Sequence, residues 1–79
     1  MKKMSKTELL KMLNSCTCMA RLLRRTNYGQ EMSRVWFHSI AMLFCVVTTD
    51  WHSNAVDMKK VQKSIIDLYN ELNAEYIKL

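Results

Sequence analysis

Apolar residues recur at helical spacing in three stretches of the chain. In the first, Leu9, Leu13, Cys16, Ala20 and Leu23 follow at steps of four, three, four and three, with Met12 and Met19 widening the stripe. That is the period of one helix face. Lys11, Asn14, Arg21 and Arg25 fall on the opposite side. Ser5 and Glu8 have the spacing of a capping box, in which the serine hydroxyl accepts from the Glu8 amide and the carboxylate reaches back. Gly29 enters the left-handed conformation freely, so it predicts the end of this helix, giving a span of 6–28.

The second stretch predicts a helix over 30–48, with Glu31 placed well for the positive end of the helix dipole. Met32, Trp36, Ser39, Leu43 and Val46 form one face, flanked by Val35, Ile40 and Val47. Residues 40–47 are apolar all round, the pattern of a helix enclosed by others or buried in an interface. A buried strand competes there, because Phe44, Val46 and Val47 favour sheet. No second segment resembles its pairing partner, and a lone strand leaves its backbone unsatisfied. Helix is therefore preferred.

In the third stretch Asn54 is a good N-cap and Asp57 suits the first turn. Met58, Val61, Ile65, Leu68 and Leu72 make a heptad-like seam that Tyr69, Tyr76 and Leu79 extend, predicting a helix over 54–78. Lys60, Lys63, Asp67, Glu71 and Lys78 lie outside, with Lys63 and Asp67 a favourable i,i+4 pair.

The expected fold class is all-α: one domain, residues 1–79, built as a small three-helix bundle with antiparallel neighbours and the second helix in the middle. Three helices do not cover every side of residues 40–47, nor Leu10 and Leu22. The bundle is therefore expected to be completed by dimerisation or by a partner, with Ile40, Met42, Phe44 and Val47 as self-association candidates.

Composition supports few, long elements. Among 79 residues there is one Gly and no Pro, far too few for a turn-rich architecture. The net charge of +5 is uneven: residues 1–34 hold eight Lys and Arg against two Glu (8 − 2 = +6), and residues 35–79 hold four Lys against five acids (4 − 5 = −1). A basic half suits nucleic acid, an anionic membrane or an acidic protein face, or is plain solvated surface. The cysteine count of three is odd, and no apolar signal-type segment follows the basic start. Both favour a reducing, cytoplasmic location. The apolar run over 35–47 is shorter than the roughly 20 residues needed to span a bilayer, so no transmembrane segment is expected.

Candidate chemistry is sparse. Cys16 and Cys18 point about 200° apart on a helix, so both thiols do not reach one ion. Cys16 and Cys45 read as small buried hydrophobes, and His38 and His52 lack the usual ligand spacings. Asp50-Trp51-His52 pairs a carboxylate with an imidazole, but no activated nucleophile or phosphate-binding loop accompanies it. No catalytic residue, metal or cofactor is expected. Trp51 is either a cap on the bundle or an interface anchor. Arg21, Arg24 and Arg25, with Arg34 and with Tyr28 near enough to stack, form a basic patch fit for phosphates or for carboxylates. His52 completes the partner-binding candidates. These features predict a small non-enzymatic interaction protein, a stoichiometric regulator or inhibitor of a larger assembly with an acidic surface, of the kind phages and mobile elements carry as accessory proteins. The alternative is a nucleic-acid binder using the basic patch.

Overall fold

The computed structural model describes residues 2–53 and 56–79, apart from the side chain of Tyr28. Three helices form, α1 (Lys6–Arg24), α2 (Asn27–Thr49) and α3 (Met58–Ile77), with no strand among the described residues. Residues 40–47 are helical, which removes the strand reading.

Helix α1 starts as its sequence predicts. The Ser5 hydroxyl accepts from the Glu8 N–H at 3.2 Å and donates to the Glu8 carboxylate at 3.1 Å. Its end differs from expectation. α1 stops at Arg24, and α2 has already begun at Asn27. Thr26 is responsible for both events. Its hydroxyl donates to the Leu23 carbonyl at 2.7 Å, closing α1, and accepts from the Gly29 N–H at 2.9 Å, capping α2. Gly29 is therefore no terminator. It lies in the first turn of α2, and no residue of the described backbone has positive φ. Glycine is needed there for proximity: a Cβ would run into the Leu23 carbonyl.

Helix α3 is capped by Asp57, whose carboxylate accepts from the N–H groups of Lys59 and Lys60 at 3.0 and 3.3 Å. The expected cap, Asn54, lies outside the described residues, and the helix begins four residues after it. Asp57 succeeds because its carboxylate meets two free amides and the positive end of the dipole together.

The path is up-down-up, but α1 rather than α2 is the central helix. Both others pack on it, and α2 and α3 touch each other little. The core has two linked parts. Near the α1–α2 turn, Cys16, Met19, Ala20, Leu23, Trp36, Ile40, Leu68 and Leu72 pack together. Toward the other end, Leu9, Leu13, Val47 and Ile65 pack with Trp51 and Val61 against them. α1 wins the middle because its stripe is wide, running from Met19 across to Leu13 and Ala20. Tyr76 and Leu79, expected to extend the α3 seam, are exposed beyond the reach of α1, which ends at Arg24.

Two buried polar side chains lie at opposite ends. Ser33 donates to the Gln30 carbonyl of its own helix at 3.0 Å. Gln62 on α3 straps down the extended N-terminal segment. Its carbonyl accepts from the Met4 N–H at 2.8 Å, and its amide donates to the Lys2 carbonyl at 2.7 Å. One side-chain amide thus satisfies two backbone groups as a neighbouring strand would.

Candidate functional site

The arginine candidates gather at one end. Arg21 and Arg24 lie in the last turn of α1 and Arg25 is its C-cap, so helix geometry holds them together. All three are exposed, and the negative end of the α1 dipole favours their charge. The ion pairs among the described residues are Lys63 with Asp67 and Lys78 with Glu75, both at 3.2 Å; neither uses an arginine. Leu22 stands exposed between Arg21 and Arg24. The C-terminal end of α3 reaches the same place, where a shallow recess of about 390 Å³ is lined by Leu23, Thr26, Glu75, Lys78 and Leu79. Tyr76, Ile77 and Leu79 add further exposed apolar surface there. Tyr28, proposed as a stacking partner, has its side chain outside the described residues. Arg34 is exposed on α2, seven residues or about 10 Å along the helix from its start.

Trp51 and His52 lie at the opposite end, separated from the arginines by the length of α2, about 35 Å. The seven partner-binding candidates therefore do not form one site. His52 is exposed, while Trp51 is half-buried against the Leu9, Leu13, Val47 and Ile65 cluster. A pocket of about 580 Å³ opens beside it, lined by the apolar Met4, Leu9, Trp51 and Met58 and by Lys3, Lys59, Lys60 and Lys63 together with Asp57. Sequence reasoning missed this lysine cluster. The Gln62 strap, which carries the first residues across to α3, is what brings Lys3 beside the α3 lysines.

The self-association candidates divide. Ile40 and Val47 are buried against α1 and Phe44 is half-buried, so these three pack within the chain itself. Met42 stays outside, 54% exposed, with Val35 at 55%. His38, Ala41, Cys45, Thr48 and Thr49 complete this outward face, which holds no Asp, Glu, Lys or Arg from residue 35 to 49. Beside it, His38, Met42, Leu43, Leu68, Asp67 and Glu71 line a groove of about 500 Å³ between α2 and α3.

The cysteines lie apart. Cys16 is buried in the core, and burial pushes its thiol up to about 11, against a small opposing backbone hydrogen bond. Cys18 is exposed as its phase predicts. Cys45, expected in the core, is exposed because the buried stripe of α2 runs through Trp36, Ile40 and Val47 on the opposite side. No three His, Cys, Asp or Glu side chains among the described residues converge as a metal site would require.

No protein-family model matches the chain, and neither the curated proteins nor the solved structures hold a significant match. One compositional expectation needs correcting. By length and composition, Gly29–Thr49, with mean hydropathy 1.3, is long and apolar enough to cross a membrane. The shorter run over 35–47 left out residues 29–34 and 48–49 of the helix, which add only two charges, Glu31 and Arg34. The core helix of a bundle has the same composition, and one side of α2 is packed on α1 in that way.

Proposed function

We propose that the chain is a small non-enzymatic interaction protein that docks stoichiometrically, through its arginine end, on an acidic surface of a larger protein assembly and thereby regulates or inhibits it. The observation that carries this is the mixture at that end: three exposed arginines that form no ion pair among the described residues, at the same end of the bundle as exposed Leu22, Tyr76, Ile77 and Leu79. Arginine with aromatic and aliphatic side chains is the composition of a protein-protein contact, whereas phosphate-backbone contacts use basic and polar groups. Arginine forks also match carboxylates in a bidentate manner. A non-catalytic role is supported by the scatter of these side chains, Cys16 and Cys18 on α1, His38 and Cys45 on α2 and His52 in the loop after it, with Cys16 buried and protonated. An intracellular setting accords with the unpaired cysteines.

Affinity capture from the native host, with and without nuclease, tests this. Expected is a protein retained in fixed ratio, resistant to nuclease, and lost from the Arg21→Glu/Arg24→Glu/Arg25→Glu variant. Retention that nuclease abolishes would make nucleic acid the ligand of the same arginines, with a steep salt dependence.

A further inference from the structure

We infer that the pocket beside Trp51 binds a small anionic amphiphile, a single apolar chain ending in a carboxylate or phosphate. The site lies at the opposite end of the bundle from the arginines and goes beyond the docking proposal. Its volume, about 580 Å³, falls within the roughly 300–1,000 Å³ of ligand sites. Its apolar lining is drawn from separate parts of the chain: Met4 before α1, Leu9 on α1, Trp51 after α2 and Met58 on α3. Leu9 ties this lining to the core, while the other three are half-buried and keep apolar surface open. Two of them are methionines, whose unbranched, polarisable side chains adapt to a flexible chain.

The polar groups of the lining set the charge of the ligand. The Gln62 side chain is occupied by the Lys2 carbonyl and the Met4 N–H. The Asp57 carboxylate is occupied by the N–H groups of Lys59 and Lys60. Lys63 pairs with Asp67 at 3.2 Å, whereas Lys3, Lys59 and Lys60 form no ion pair among the described residues. Four lysines against Asp57 leave the lining at 4 − 1 = +3. Its free polar groups are thus ammonium groups, which as point-charge donors take carboxylate and phosphate alike. Their placement is costly by itself. Lys59 and Lys60 lie in the first turn of α3, at the positive end of its dipole, where acidic residues are favoured and none follows the cap. Lys59 and Lys63 are also a like-charged i,i+4 pair. An anion seated among these lysines relieves both conflicts, and a neutral apolar ligand relieves neither. Concavity selects a single molecule over a membrane, because a flat bilayer surface does not enter a pocket.

Calorimetric titration of the full chain with decanoate, kept below its micellar concentration, tests this. One decanoate per chain is expected, with a shift of tryptophan emission that Trp51→Phe removes. Decan-1-ol, the same chain without the charge, should bind about tenfold more weakly, the factor that one charge-assisted hydrogen bond supplies. Inorganic phosphate, the charge without the chain, should show no binding. Lys59→Glu/Lys60→Glu should weaken decanoate by about tenfold or more. The same variant should raise the unfolding temperature of the ligand-free chain by about 4 °C, which separates loss of binding from loss of fold. No uptake of decanoate, equal affinity for decan-1-ol, binding of phosphate alone as tight as that of decanoate, or undiminished decanoate binding by the lysine variant would each overturn the inference. So would a lowered unfolding temperature in that variant. Binding to phosphatidylglycerol vesicles without binding of free decanoate would overturn it in favour of a membrane contact.

Discussion

The two faces of α2 are equally free of Asp, Glu, Lys and Arg between residues 35 and 49, yet one is core and the other is open. On the inner face Gly29, Ser33, Trp36, Ile40 and Val47 are buried at steps of four, three, four and seven. On the outer face Val35, His38, Met42 and Cys45 are exposed. Apolarity does not distinguish them; the order of sizes does. The inner stripe has its smallest residues beside the turn, where the backbones of α1 and α2 meet, and its large ones farther along, where space must be filled. The outer face, with Val35, His38, Met42 and Cys45, has no such gradation.

The largest test of this contrast is at Trp36, which is 1% exposed. Trp36→Ala should cost about 3–5 kcal/mol in denaturant unfolding. The Trp36 indole N–H has no hydrogen-bond partner among the described residues, so Trp36→Phe should cost well under half of that. If the two variants were equally damaging, the N–H would have to be engaged. Next is the alkaline limit. Burial raises the Cys16 thiol from its ordinary 9.0 to about 11. Its contribution is therefore complete below pH 9 and is lost as the pH rises through 11, about 2–3 kcal/mol in all. Unfolding temperature followed from pH 8 to 11 should show this component in the natural chain and lack it in Cys16→Ala. Gly29→Ala should then lose about 1–3 kcal/mol through the clash with the Leu23 carbonyl. This loss would come despite a gain of about 1 kcal/mol in helix propensity. A neutral result in thermal unfolding would show that the turn can open. Smallest is the outer face, where Ala41→Ser should change the unfolding free energy of the isolated chain by no more than about 0.5 kcal/mol. A larger loss measured at high dilution would mean that this face is packed within one chain.

The sequence made the helices and their buried stripes legible wherever the signal was periodic. Leu9, Leu13, Cys16, Ala20 and Leu23 are buried as their spacing requires, and so are Ile65, Leu68 and Leu72. The connections were harder to read, because a cap depends on which residue first reaches a free amide. Thr26 outcompeted Gly29 for the end of α1, and Asp57 rather than Asn54 caps α3. The choice of central helix was misread for a different reason. Uninterrupted apolarity in α2 suggested enclosure, whereas a broad stripe on the more polar α1 can contact two neighbours. At the candidate site, the arginine cluster was legible because its members lie within one turn. The lysine cluster was not, since Lys3 and Lys63 meet only through the Gln62 strap, which no local pattern announces.

The two-residue link between α1 and α2 also sets an order of events in time. With Thr26 bonded to both helices, almost no loop has to be closed before they touch, and the contacts beside the turn are local in sequence. The α1–α2 hairpin is therefore expected to form early, with α3 arriving afterwards across the longer connection. Stopped-flow measurements should find that Thr26→Ala chiefly slows folding, while Leu72→Ala chiefly hastens unfolding. A newly made chain would then present the inner face of α2 already covered and the α3 side of α1 still bare, so its most exposed moment falls before the last helix docks.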